Sequence, residues 1–178
     1  MLLGRLGLDF RSVAPDIDER SLGQETPDAM ALRLAEAKAC KVAETETTAL
    51  IIGSDQVAVM GDHILGKPGS HQAAAAQLEA MSGKAVVFHT ALCLFNARSG
   101  RAQLANVPTT VHFRRLDTAQ IDRYLQQDRP YDCAGSAKIE ALGISLVESV
   151  DSTDPTALIG LPLIALVDML QREGVTVP

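Results

Sequence analysis

The chain has 178 residues, the length of one ordinary domain, enough to bury roughly 70% of the surface its unfolded form would expose without disulfide or metal staples. Sixteen Lys+Arg against 22 Asp+Glu leave a net charge of −6, which excludes a protein held on nucleic acid mainly by phosphate neutralisation. No Trp, two Tyr and four Phe are too few rings for a stacking platform, and the core must be largely aliphatic.

The opening Met1 to Leu6 reads as the last turns of a helix closed by Gly7. Thr26-Pro27 is a helix start, with Met30, Leu34 and Ala37 falling on one face up to about Val42. Ala49 to Ile52 is a short apolar run that predicts a buried strand emerging into a loop at Gly53-Ser54-Asp55, where strand ends commonly carry chemistry. Val57 to Met60, Gly61-Asp62 and His63 to Leu65 predict a hairpin, and Ser70 caps an Ala-rich helix that stops at Ser82-Gly83. A strand from about Ala85 to Phe95 and a return strand through Val111 to Phe113 predict a long antiparallel pair around Ser99-Gly100. Asp117 caps a helix with Ile121, Tyr124 and Leu125 on its apolar face. Ile144 to Val147 predicts another buried strand, and a final helix runs from about Leu163 to Glu173 before Gly174. Helices and strands alternate while the hairpins forbid an all-parallel sheet, so the expected class is α/β with a mixed sheet, one cooperative domain over 1–178.

Cys40, Cys93 and Cys133 stand far apart with no C-x-x-C pair, which excludes a disulfide framework or a cysteine zinc cluster and fits a reducing compartment. Ala157 to Leu170 is broken by Gly160, Pro162 and Asp168 and is too short to span a bilayer, and the N-terminus lacks the apolar core of a secretion signal. The expectation is a cytoplasmic protein with neither a membrane nor a nucleic acid as partner.

Four polar constellations carry candidate chemistry. Asp16-Ile17-Asp18-Glu19 is either a solvated acidic turn or a source of metal ligands. Within Gly53-Ser54-Asp55-Gln56, Asp55 directly follows a buried strand, so its carboxylate can be partly desolvated and aimed to bind a divalent metal or activate water. Lys67 sits between Gly66 and Pro68, a turn that fixes the backbone and leaves the ammonium to reach an anion; its plain alternative is a hairpin lysine. In Cys133 to Glu140 the Gly135-Ser136-Ala137-Lys138 run lacks Walker spacing. Cys133 reads as a small buried hydrophobe rather than a nucleophile served by His89 or His112. His63 and His71 have no metal-ligand spacing, and Lys38, inside the first helix, taken alone reads as a surface residue.

Taken in order, Leu6 to Phe10, Ala14 to Glu19, Leu34 to Ala39 with Lys38, Ile51 to Gln56, Gly66-Lys67-Pro68, Cys133 to Glu140 and Ile159 to Leu163 resemble the Maf family of nucleoside triphosphate pyrophosphatases, in the branch acting on 7-methyl-GTP. The resemblance implies an inosine triphosphatase-like fold, an elongated mixed sheet flanked by helices with a cleft between two lobes. It also implies hydrolysis between the α and β phosphates of a modified guanine nucleotide with a divalent cation, Mg²⁺ or Mn²⁺, and, from the family's habit, a homodimer. By the same resemblance Asp55 is the proton acceptor and Glu19 helps hold the metal with it. Lys38 and Lys67 neutralise the triphosphate, and Gln56 and Glu140 set base specificity, a carboxylate at 140 being suited to guanine N1–H and the exocyclic amine. By the resemblance, family members open with a strand and a Ser-x-Ser-Pro-x-Arg-Arg loop, of which Met1 lies downstream; the readings are a start codon assigned too late, which is the expectation, or a truncated product. Two alternatives stand beside this function: a catalytically impaired nucleotide-binding regulator of cell division and septum formation, and a xanthine or hypoxanthine nucleotide pyrophosphatase of the same fold.

Overall fold

A computed structural model describes residues 2–177. Its elements in chain order are α1 (Pro27–Ala43), β1 (Leu50–Met60), β2 (His63–Leu65), α2 (His71–Met81), β3 (Ala85–Asn96), β4 (Arg101–Phe113), α3 (Thr118–Asp128), β5 (Val147–Ser152) and α4 (Leu163–Arg172), with short 3₁₀ turns between them. The class is α/β. The strands form a five-stranded sheet in the order β2-β1-β3-β4-β5, in which β1–β2 and β4–β5 are antiparallel. Ala58, Val59 and Met60 pair with Leu65, Ile64 and His63, which is the hairpin the sequence predicts. At its other edge β4 pairs Thr109 with Ser152 through Phe113 with Val147, and a bulge between His112 and Phe113 accommodates Glu148.

The chain divides into two compact units. The first comprises Met1–Gln56, Thr90–Val107 and Asp154–Pro178, the second Val57–His89 and Pro108–Thr153. In the first, the apolar stripe of α4, Leu163, Leu166, Met169 and Leu170, packs on Leu92 and Leu94 of β3, with Leu50 and Ile52 of β1 beside them. Each fully buried leucine of this kind is worth about 1.5–3 kcal/mol in area removed from water. Asp154, 2% exposed, anchors the start of α4: its carboxylate accepts from Thr156 N, Thr156 Oγ1 and Ile164 N at 2.9, 2.7 and 2.7 Å. In the second unit α2 lies against α3, burying Ala74, Leu78 and Met81 from one helix and Ile121, Tyr124 and Leu125 from the other. Both helices are capped as the sequence predicts, Ser70 Oγ accepting from Ala73 N and Asp117 Oδ1 from Gln120 N.

Four expectations need correction. The strand expected to end before Gly53 continues unbroken to Met60, so Gly53-Ser54-Asp55 lies inside β1 rather than on a loop. The buried face of α1 is Ala31, Leu34, Ala35 and Ala39: the expected Leu34 is on it, but Ala31, Ala35 and Ala39 take the places expected of Met30 and Ala37, and these small residues let the helix come closest to β1. Ile144 is in a 3₁₀ turn over Leu142–Leu146 and is 55% exposed; the strand starts at Val147. The turn is forced by Gly143, whose N–H donates to Lys138 O at 3.0 Å in a place where a Cβ would stand 2.5 Å from that oxygen. The opening segment is a 3₁₀ turn over Leu3–Leu6 closed by Gly7 at φ +68°, with Met1 outside the described residues. No helix among the described residues is long and apolar enough to cross a membrane.

Candidate active site

Strand periodicity sorts the polar residues of β1 onto two faces. Gly53 and Asp55 face α1. A Cβ at Gly53 would stand 2.2 Å from Ala35 O and 3.1 Å from the Ala39 methyl, so glycine is what allows the helix backbone to rest on the strand. That close approach brings Lys38 to Asp55, Nζ donating to Oδ1 at 2.6 Å. The same ammonium reaches Glu19 Oε1 at 2.8 Å. Lys38 and Asp55 are largely buried, with side chains 21% and 12% exposed, while Glu19 is 47% exposed. Burial of the Lys38 ammonium works to lower its pKa, but its hydrogen bonds to Asp55 and Glu19 outweigh that and hold it above the ordinary lysine value.

Glu19 lies in an irregular segment, and α1 supplies the clamp that shapes it. The Arg33 guanidinium grips Glu25 in a fork, Nε to Oε2 at 2.8 Å and Nη2 to Oε1 at 2.5 Å, and Nη2 also donates to Arg20 O at 3.2 Å. The fork, with a bond from Leu22 N, holds the Glu25 carboxyl down at about 2. Asp18 takes no part in this cluster. It pairs with Arg20 on the surface, which lowers its carboxyl, and Asp16 is exposed.

Ser54 and Gln56 face the other way, toward the turn before α4. Ser54 Oγ lies 2.7 Å from Ala91 O and 2.8 Å from Gly160 O. Gln56 Nε2 donates to Thr90 Oγ1 at 2.8 Å and to Leu158 O and Ala157 O at 3.2 and 3.3 Å. A cavity of about 680 Å³ opens beside the N-terminal half of β1, lined by Leu2, Phe10, Val13, Leu50, Ser54 and Leu161 among others. Its walls are mainly apolar, and Asp55, Lys38 and Glu19 do not line it. The charged chemistry is therefore on the α1 face, outside the cavity.

The other two sequence candidates belong to the second unit. Lys67 is exposed on the turn between β2 and α2, and Glu140 is exposed on a turn closed by Ala141 N and Gly143 N donating to Lys138 O. Their two motifs are tied through one side chain: Gln77 Nε2 donates to Gly66 O at 3.0 Å, and its Oε1 accepts from Ser136 Oγ at 2.5 Å. Lys138, next to that turn, pairs with Asp132 at 3.1 Å. Burial pushes the Cys133 thiol up to about 11, so the thiolate a nucleophile needs is not present near neutrality. Sequence reasoning missed Arg33, Gln77 and Thr90, which belong to no local motif.

The donor set on the α1 face is oxygen only. Among the described residues no three His, Cys, Asp or Glu side chains gather into a self-sufficient metal cage. Two carboxylates fit a hard divalent cation that arrives on phosphate and completes its shell with phosphate oxygens and water. They do not fit a soft metal.

A family model described as Maf-like protein matches residues 1–173. The chain belongs to the Maf family. Similar proteins include a "7-methyl-GTP pyrophosphatase" of Thiobacillus denitrificans, 58% identical over 99% of this chain and 88% of that protein. Proteins of the same name from Cupriavidus metallidurans and Burkholderia orbicola are 54% and 55% identical, over 97% and 96% of this chain and 87% and 82% of theirs.

Proposed function

We propose that this Maf protein hydrolyses the α–β phosphoanhydride of 7-methyl-GTP or a related modified guanine nucleotide, releasing the nucleoside monophosphate and pyrophosphate. The observation that carries the reading is the Glu19–Lys38–Asp55 cluster on the α1 face of β1, in a chain whose relatives bear that enzyme's name. Two carboxylates and one ammonium sum to a single negative charge, which repels a triphosphate unless a cation joins them. Glu19 and Asp55 would hold Mg²⁺ or Mn²⁺, which supplies charge neutralisation on the phosphate oxygens.

The chain's own groups account for the rest. Lys38 occupies Oδ1 of Asp55 and so orients the carboxylate, leaving Oδ2 to accept the proton of an attacking water. The water oxygen bonds to the α-phosphorus as the bond to the bridging oxygen breaks, and pyrophosphate leaves with the bond pair. Lys38, charged across the neutral range, fixes the two carboxylates relative to each other. On the resemblance, Lys67 takes phosphate charge and Glu140 accepts from the guanine edge. On the same resemblance Gln56 contributes to base specificity; its side chain leaves the strand on the face opposite Asp55. No observation favours the regulator or the xanthine and hypoxanthine readings.

The test is pyrophosphate release from 7-methyl-GTP, GTP, dTTP and UTP with Mg²⁺ or Mn²⁺. Asp55→Asn keeps the shape of the side chain but removes the base, and its kcat is expected to fall by about 10²–10⁴ while the melting temperature changes by only a few degrees. A folded Asp55→Asn protein turning over at the wild-type rate overturns the assignment.

A further inference from the structure

Glu19 meets Lys38 from a stretch of chain that packing does little to hold. The backbone runs irregularly from Leu8 to Thr26, and every residue from Asp18 to Gln24 is exposed, Leu22 to 70%. Burial of apolar surface is therefore not what fixes this stretch. The bonds of Arg20 to Asp18 and of Gly23 N to Ser21 Oγ begin and end within it. The Glu19–Lys38 pair is itself half open to water on the Glu19 side, and a pair of that kind is too weak to order the chain that carries it.

The fastening comes from Arg33. Its planar guanidinium engages two points at once: Nε and Nη2 fork onto the two oxygens of Glu25, and Nη2 also donates to Arg20 O. Leu22 N donates to Glu25 Oε1 at 3.0 Å, so the chain from Arg20 to Glu25 closes into a loop around one carboxylate. Unlike the exposed residues between them, the two charged groups are sheltered, with side chains 30% and 12% exposed. Arg20 directly follows Glu19, and Arg33 precedes Lys38 on α1 by five residues, about 7.5 Å of helix rise. One rigid helix thus sets both the carbonyl next to Glu19 and the ammonium that Glu19 meets.

We infer that Arg33, acting through Glu25, is a positioning residue that places the Glu19 carboxylate beside Asp55 for the divalent cation. This rests on the reading of Glu19 and Asp55 as the cation's protein ligands and adds what brings the mobile one of the two into place. A lysine at 33 would keep the charge but could not hold the carboxylate and the carbonyl together, because an ammonium lacks the fork.

The experiment compares wild type, Arg33→Met, Arg33→Lys, Glu19→Gln and the Arg33→Met/Glu19→Gln double variant. Backbone ¹⁵N order parameters of residues 19 and 20 are measured by NMR in the metal-free protein, and the Mg²⁺ concentration giving half-maximal pyrophosphate release from 7-methyl-GTP is measured in parallel. The expected order parameters are about 0.85 in wild type and below about 0.6 in both Arg33 variants, with α1 unchanged. The Mg²⁺ requirement is expected to rise about ten-fold in Arg33→Met, Arg33→Lys and Glu19→Gln, and no further in the double variant. A rigid Glu19 in Arg33→Met overturns the inference, as does an unchanged Mg²⁺ requirement there, or a double variant whose rise is the product of the two single ones. A lower melting temperature alone, with order and Mg²⁺ requirement kept, overturns it too. If Arg33→Met does not fold, Glu25→Gln is judged by the same criteria, since its amide offers the fork a single acceptor oxygen. If wild type turns over no nucleotide, the proposed reaction fails, and the order parameters still decide whether Arg33 places Glu19.

Discussion

Gly53 and Asp55 on one face of β1, and Ser54 and Gln56 on the other, differ by a single residue step and meet opposite kinds of neighbour. Toward α1 the strand presents charge: the Asp55 carboxylate meets an ammonium, with a second carboxylate beyond it. Toward the turn before α4 it presents neutral hydroxyl and amide groups to backbone carbonyls. The period of two in a strand thus separates groups that work by charge from groups that work by hydrogen-bond direction, while one backbone keeps them adjacent. The charged face is adjustable by pH. The neutral face responds only to the loss of a particular bond.

The comparison breaks most severely at Gly53. Gly53→Ala places a methyl 2.2 Å from Ala35 O, a backbone atom that cannot step aside, so α1 must move and carry Lys38 with it. The expected cost is about 3 kcal/mol, or roughly 6–12 °C in melting temperature for a domain of this size, together with loss of turnover. Calorimetry beside the pyrophosphate assay checks both; a variant that melts and turns over like wild type means the helix is not held by this contact. On the other face Ser54→Ala leaves Ala91 O and Gly160 O without their hydroxyl partner. It is expected to lower stability by about 1 kcal/mol, or about 2–4 °C, with the pH profile of turnover unchanged. A shifted profile would show that the two faces are not independent.

The smallest effect is alkaline. Because Lys38 is held above 10.5 in the folded chain, its contribution to stability is fully present below 10.5 and is lost as pH rises through the folded value. Melting temperatures measured from pH 8 to 12 are expected to fall more steeply above about 10.5 in wild type than in Lys38→Met. Parallel curves would remove Lys38 from the linkage.

Much of the fold was legible because its signals are local. Asp117 with Ile121, Tyr124 and Leu125, Ser70 with its alanine helix, and Gly61-Asp62 between apolar runs each declare themselves within a dozen residues. The continuation of β1 through Gly53-Ser54-Asp55-Gln56 was not, because these are loop-forming residues whose strand geometry is set by long-range neighbours: α1 over Gly53, the α4 turn beside Ser54 and Gln56. The same holds for the 3₁₀ turn at Ile144, fixed by Gly143 closing on Lys138. Within the candidate site the carboxylates and lysines stand out in short motifs. Arg33 on α1, Thr90 in β3 and Gln77 on α2 do not, since each acts on residues 8 to 59 positions away.

The bracket of Asp154 and Thr156 settles when the entropy of this region is surrendered. Asp154 and Thr156 accept from Thr156 N, Leu163 N and Ile164 N, and the one Thr156 hydroxyl hydrogen goes to Asp154 Oδ1 or Leu161 O, which ties the turn carrying the carbonyls that Gln56 meets to the start of α4. That ordering is completed as the chain folds. A ligand that met this turn would begin from a frame already in its final geometry, and the affinity it expressed would not be diminished by reorganising the loop.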